Sequence, residues 1–195
     1  MPGTSQPPGY VGFKLAVFVL LIANSAVFAA RGTLSEGLDS LAWLTLLVLF
    51  ELETAHGHRL SSPRAVTAVH AVRLAAAVAV LAAAIGYLYE ESWLDAVNAW
   101  LWIAVVILLE TEVRCARAVA QHRAVFAAAA AVLYGGLALA VLAWAWRGEW
   151  FDAYDAVLWL LAFATIEMNV LADYGKTAPL VPTTLAARRT FLEGP

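Results

Sequence analysis

The sequence predicts an all-α, polytopic membrane protein with six transmembrane helices. They form three two-helix repeats around a pseudo-threefold axis, with both termini in the cytoplasm. Three observations predict this fold. Hydrophobic residues make up 63% of the 195 and charged residues only 14%, with mean hydropathy +0.76; a soluble domain normally carries about a quarter charged residues. The apolar residues fall in blocks close to the roughly 20 that cross a bilayer. These blocks are too long and too uniformly apolar for the alternating strands of a barrel. Finally, one pattern occurs three times. Asp39-x3-Trp43-x7-Glu51-x-Glu53 aligns with Asn98-x3-Trp102-x7-Glu110-x-Glu112 and with Asp155-x3-Trp159-x7-Glu167-x-Asn169, the copies lying 59 and 57 residues apart.

The elements follow in order. Residues 1–12 form a cytoplasmic tail, rich in proline and glycine up to residue 11 and free of charge there. Hairpin repeat 1 covers 13–57, with helices over 13–30 and 38–57. Repeat 2 covers 66–114, with helices over 66–88 and 94–114. Repeat 3 covers 123–172, with helices over 123–146 and 152–172. The odd helices are rich in Ala and Val, whose small side chains let backbones approach closely in lipid; Gly135 and Gly136 mark a close crossing or a bend. Residues 173–195 form a cytoplasmic tail, in which 183–192 carries Arg188 and Arg189. That segment reads either as a short basic helix on an anionic membrane surface or as a disordered tail.

Charge sets the orientation. Arg59, Arg64, Arg114, Arg117, Arg123, Lys176, Arg188 and Arg189 fall on one side of this topology, while Glu36, Asp39, Glu90, Glu91, Asp95, Glu149, Asp152 and Asp155 fall on the other. The positive-inside rule places the basic side in the cytoplasm. High Ala, Val and Arg usage suggests a bacterial-type inner membrane. All eight Trp residues lie toward the acidic side, as in an interfacial belt, with Trp43, Trp102 and Trp159 a turn deeper. Cys115 is the single cysteine, so no intrachain disulfide forms.

The repeated acids carry the functional expectation. Twelve residues of helix, from Asp39 to Glu51, span roughly 18 Å. Asp39, Asn98 and Asp155 therefore line an outer vestibule, and Glu51, Glu110 and Glu167 share one depth in the inner part of the bilayer. Intramembrane acids are costly and mark functional sites by default. Glu51, Glu53, Glu110, Glu112, Glu167 and Asn169 make an oxygen-rich group suited to a hard cation or protons. The acid two positions on points roughly 200° away, so one of each pair faces the axis and the other a neighbouring helix. The competing reading treats the acids as braces paired with Lys14, Arg73, Arg114 and Arg123; Glu110 and Arg114 have the favourable i, i+4 order.

The expected function is thus a cation channel or transporter working through a ring of intramembrane glutamates. Its partners are the lipid bilayer, an inorganic cation or protons, and further copies of the chain in a homo-oligomer. No cofactor beyond a bound cation is implied. The net charge of -3 offers no surface for nucleic acid. A membrane-embedded metal or redox protein using Glu51, Glu53 and His56 is one alternative, and a scaffold braced by ion pairs is another. The sequence contains no Walker loop, no HExxH and no nucleophile with an evident base, which argues against an enzyme.

Overall fold

A computed structural model describes residues 8–56 and 62–177, with side chains over 12–53 and 62–164. Among these residues there are seven helices and no strand. Six are long: α1 (Pro8–Arg31), α2 (Leu34–His56), α3 (Pro63–Tyr89), α4 (Trp93–Arg114), α6 (Arg123–Arg147) and α7 (Trp150–Thr177). A short helix, α5 (Ala116–Gln121), joins α4 to α6. The long helices occupy the six apolar stretches. Helix α1 begins earlier than residue 13, since Pro8 is tolerated at a first helical position. The 183–192 segment lies outside the described residues.

Among the described residues, four helices are long and apolar enough to cross a membrane: α1 over Gly12–Arg31, α3, α4 and α6. Helix α2 carries acids toward both ends (Glu36, Asp39, Glu51 and Glu53), which lowers its hydropathy, and the side chains of α7 are described only over 150–164. Much of the apolar surface faces outward, including Leu74, Val132, Leu139 and Leu142, each at least 63% exposed. An apolar belt of this extent on a soluble monomer would be unusual.

Three tight turns, at residues 32–33, 90–92 and 148–149, join α1 to α2, α3 to α4 and α6 to α7. Gly148 ends α6 with φ +82°, a left-handed conformation that costs glycine little. Its N–H bonds the Ala145 carbonyl at 3.2 Å, and the Glu149 N–H bonds that of Trp144 at 2.9 Å, closing the helix end. The first two turns are clasped together. Glu90 accepts from the Thr33 hydroxyl at 2.8 Å and from the Ser35 hydroxyl at 2.7 Å. Desolvation acts upward, but these hydrogen bonds and one from the Ser35 N–H together hold the Glu90 carboxyl below its ordinary range.

Gly86 makes this clasp possible. A Cβ at that position would sit 2.2 Å from Ser35 Oγ. Gly86→Ala therefore forces the hydroxyl off Glu90 and is expected to cost about 1.5–3 kcal/mol, the range for a charged hydrogen bond. In a Ser35→Ala background the same change should cost almost nothing. Additive losses in a thermal-denaturation double-mutant cycle would show that the close approach is not what Gly86 serves.

The long helices pack in a closed circuit, each against its two neighbours: α1, α2, α3, α4, α6, α7 and back to α1. The α1–α7 closure is joined by Asn24 Nδ2, which donates to Asp155 Oδ1 at 2.8 Å. Ser40 Oγ donates to Ser25 Oγ at 2.8 Å between α2 and α1, both buried. All six helices contribute to one central cluster, in which Leu21, Val105 and Leu137 are fully enclosed. Lipid is as apolar as these side chains, so their gain comes from close packing rather than escape from water. Alanines make the contacts tight, with Ala83, Ala84, Ala96 and Ala99 almost wholly buried. Gly136 lies against Leu101 across the α4–α6 crossing, whereas Gly135 faces open space.

Candidate cation site

Each of α2, α4 and α7 starts directly after a tight turn and has an acid at its third residue: Glu36, Asp95 and Asp152. Three positions on come Asp39, Asn98 and Asp155, and four beyond those come Trp43, Trp102 and Trp159. Spacing of i, i+3, i+7 keeps each trio within roughly 60° of helix surface. All three stripes line one cavity of about 60 Å³ at the turn end of the bundle. The sequence expectation places Asp39, Asn98 and Asp155 in a vestibule, and all three line the cavity. Glu36, Asp95 and Asp152 are not part of that expectation. Extending the three-way alignment three residues upstream finds an acid in every copy.

The first-turn acids have a local reason to be where they are. Helix N-termini favour negative charge, and Glu36 completes a reciprocal cap. Its carboxylate accepts from the Thr33 N–H at 2.6 Å, while its own N–H bonds the Thr33 hydroxyl at 3.2 Å. The next level down is different. Asp155 accepts from Asn24, but Asp39 Oδ1 and Asn98 Oδ1 are sealed from solvent with no hydrogen-bond partner among the described residues. A buried acceptor left unpaired costs about 1–3 kcal/mol. Asp39 also lies close enough to Asp155 and Asp95 to be repelled by both, and Asp95 similarly faces Asp152 and Glu36. The lining includes no Lys, Arg or His.

The cavity opens into a wider bowl of about 490 Å³, sharing Glu36, Asp95, Trp144 and Asp152 with it. Glu91 and Glu149 add carboxylates to the bowl, and Arg147 is the one base in its lining. Below the acids lies an aromatic cluster. Trp102 and Phe163 have ring centroids 4.6 Å apart, and Trp43 lies 6.3 Å from each. Trp159 is 8% exposed and belongs to the same cluster. Trp93, Trp146 and Trp150 point outward near the turns, as a belt would.

Glu91 adopts φ 59° in the second turn, a left-handed conformation that costs a side-chain-bearing residue roughly 1–2 kcal/mol. The third copy has Gly148 at the same offset, seven before Asp155. Glu91→Gly is expected to stabilise the fold by about 0.5–1 kcal/mol, after the greater freedom of glycine in the unfolded chain is subtracted. A lowered melting temperature would mean that Glu91 makes a contact outweighing its strain.

Among the described residues, the glutamates that carry the sequence expectation lie elsewhere: Glu51, Glu53, Glu110 and Glu112 do not line the cavity. Glu51 accepts from Lys14 of α1 at 2.6 Å, with both side chains about a quarter exposed (23% and 26%). Glu53 pairs with Arg73 of α3, and Glu110 with Arg114 one turn along α4. Thus Glu51 and Glu53 both turn to flanking helices and staple α2 to its neighbours, the arrangement that the brace reading describes. Bases on the neighbouring helices draw them there by charge attraction. Glu112 is half-buried and has no ion pair among the described residues, and Arg123 is exposed. Glu167 and Asn169 lie on α7 beyond the described side chains, as does the side chain of His56 at the end of α2. His70 and His122 each set Nδ1 against a backbone carbonyl one turn back. Among the described residues no group of three or more His, Cys, Asp or Glu is arranged to hold a metal ion.

The class defined by these features is an all-helical protein with membrane-length apolar helices and an acidic, aromatic-walled cavity at one end. No family model, curated protein or solved structure matches the chain.

Proposed function

We propose that the protein is a multi-pass membrane protein that takes up a cation at the acidic cavity and passes it across the bilayer. In this reading all six long helices span, as three hairpins about a pseudo-threefold axis. The three turns face outward and both termini lie in the cytoplasm, the membrane being the bacterial-type inner one. The observation that carries the reading is the convergence of nine side chains, three each from α2, α4 and α7, on one cavity. Five of them (Glu36, Asp39, Asp95, Asp152 and Asp155) are carboxylates, and the lining supplies no counter-charge.

The bowl concentrates cations, because a cleft with one sign of charge raises local counter-ion concentration. The Asp39 level binds them after partial dehydration. The aromatic cluster then acts as a plug separating this site from the end that carries the Glu51 and Glu53 pairs, so passage requires the plug to move. Lipid covers the exposed apolar belt, and the same surface serves for contact between copies.

Flux in proteoliposomes tests the proposal, with the native chain screened across protons, sodium, potassium, calcium, magnesium and ammonium. Saturable flux of at least one cation is expected. A correctly folded protein that moves none of them overturns the transport reading.

A further inference from the structure

The cavity also restricts which cation it suits, an inference resting on the cation-site reading above. Its two orphaned atoms, Asp39 Oδ1 and Asn98 Oδ1, come from different helices and are both acceptors. A ligand that satisfies both donates at least two hydrogen bonds. Beneath them the walls are indole: Trp43, Trp102 and Trp159 all line the cavity, with the Trp43 and Trp159 N–H groups beside the carboxyls of Asp39 and Asp155. Indole faces attract cations through the ring quadrupole, most strongly when water is excluded. A hard metal ion, by contrast, wants about six or more oxygen ligands, and aromatic walls provide none. Nor do the carboxylates converge for one, since no three of the described acids or histidines are set to share an ion. The volume of about 60 Å³ limits the occupant to a few heavy atoms.

We infer that the cavity takes a small primary alkylammonium ion, whose N–H groups donate to Asp39 and Asn98 and whose carbon end packs on the tryptophan faces. Charge, donors and an apolar end are the three properties the walls match, and a bare metal ion has only the first. The wider bowl lets such an ion enter before it loses water, and the aromatic plug sets how long its carbon chain can be.

The test is calorimetric titration of the full-length protein in detergent micelles, with methylammonium, sodium and magnesium chlorides at constant ionic strength. Methylammonium should bind saturably and at least ~10-fold more tightly than sodium or magnesium. Asp39→Asn should abolish this binding. Trp43→Leu should weaken it by about 10-fold and Trp43→Phe, which keeps an aromatic ring but loses the indole N–H beside the Asp39 carboxyl, by only ~2–3-fold. Each variant is checked for native helicity and melting temperature, and Trp159→Leu with Trp159→Phe serves as a second pair should the Trp43 variants unfold. Tighter binding of sodium or magnesium, lost in Asp39→Asn, would overturn the alkylammonium inference and leave the cation site standing. Binding of methylammonium that ignores the tryptophan replacements would overturn the aromatic recognition. Binding of no cation by folded protein, or binding indifferent to Asp39→Asn, would overturn both.

Discussion

Replacing Asp39 and Asp155 together by asparagine is expected to cut cation flux by at least ~100-fold while leaving the melting temperature unchanged or raised. The two halves of this result have separate causes. Two carboxylates each within several ångströms of a partly desolvated cation contribute roughly 1–4 kcal/mol apiece, and every 1.4 kcal/mol is a factor of ten. Stability moves the other way. The two acids repel one another, Asp39 Oδ1 forms no hydrogen bond, and the Trp43 and Tyr87 donors beside the Asp39 carboxyl can still give to the amide oxygen of asparagine. Asparagine at 155 still accepts from Asn24 through its amide oxygen. As a control, Glu110→Gln removes an acid whose pair with Arg114 lies on an exposed face of α4, and flux should stay within about two-fold, since exposed pairs contribute little. If the double variant melted early and carried normal flux, the aspartates would be structural and the site misplaced.

Trp102→Ala is expected to cost about 3–5 kcal/mol, the range for removing a large buried aromatic side chain. Trp102 is 6% exposed and touches both Trp43 and Phe163, so its loss also removes edge and face contacts worth about 0.5–1.5 kcal/mol each. The functional half of the expectation is sharper. Without the ring the plug has a hole on the axis, and proteoliposomes should leak cations with weakened saturation and selectivity. Trp102→Phe should retain most of the stability and most of the control. A variant as tight as the native chain would show that the barrier lies elsewhere, for instance among Leu47, Val105 and Ala162 of the same cluster.

The helices and the repeated Asp–Trp spacing were legible because both are local. Length, hydropathy and an offset of four depend only on residues near one another in the chain. The role of each acid was not, because it depends on how neighbouring helices are rotated. At sequence level Glu51 and Asp39 are equally credible ligands, both being acids in an apolar helix. The difference is that Lys14 reaches Glu51 and Arg73 reaches Glu53 across helix boundaries, while no base among the described residues pairs with Asp39. Glu36, Asp95 and Asp152 were visible as charge near a turn, and that ordinary meaning hid their alignment with the deeper residues. Asn24 and Ser25 were the other readable signal. Two adjacent polar residues within the apolar run of α1 require partners, and both prove buried and hydrogen-bonded. The pairing of α1 with α7 has no counterpart in the sequence, since nothing along the chain indicates which two ends meet.

That pairing bears on how the molecule is made. Asn24 and Asp155 are 131 positions apart, and helices enter a membrane in the order in which the ribosome delivers them. If all six long helices span, as proposed above, the first helix arrives with an amide whose acceptor comes only with the last. Until then the cavity lacks the wall that α7 supplies. Completion is all at once: the final insertion supplies Asp152, Asp155 and Trp159 in one step, and with them the closed ring. A chain cut short before α7 would be a bundle of greasy helices with an unsatisfied asparagine, a species well suited to recognition by membrane quality control.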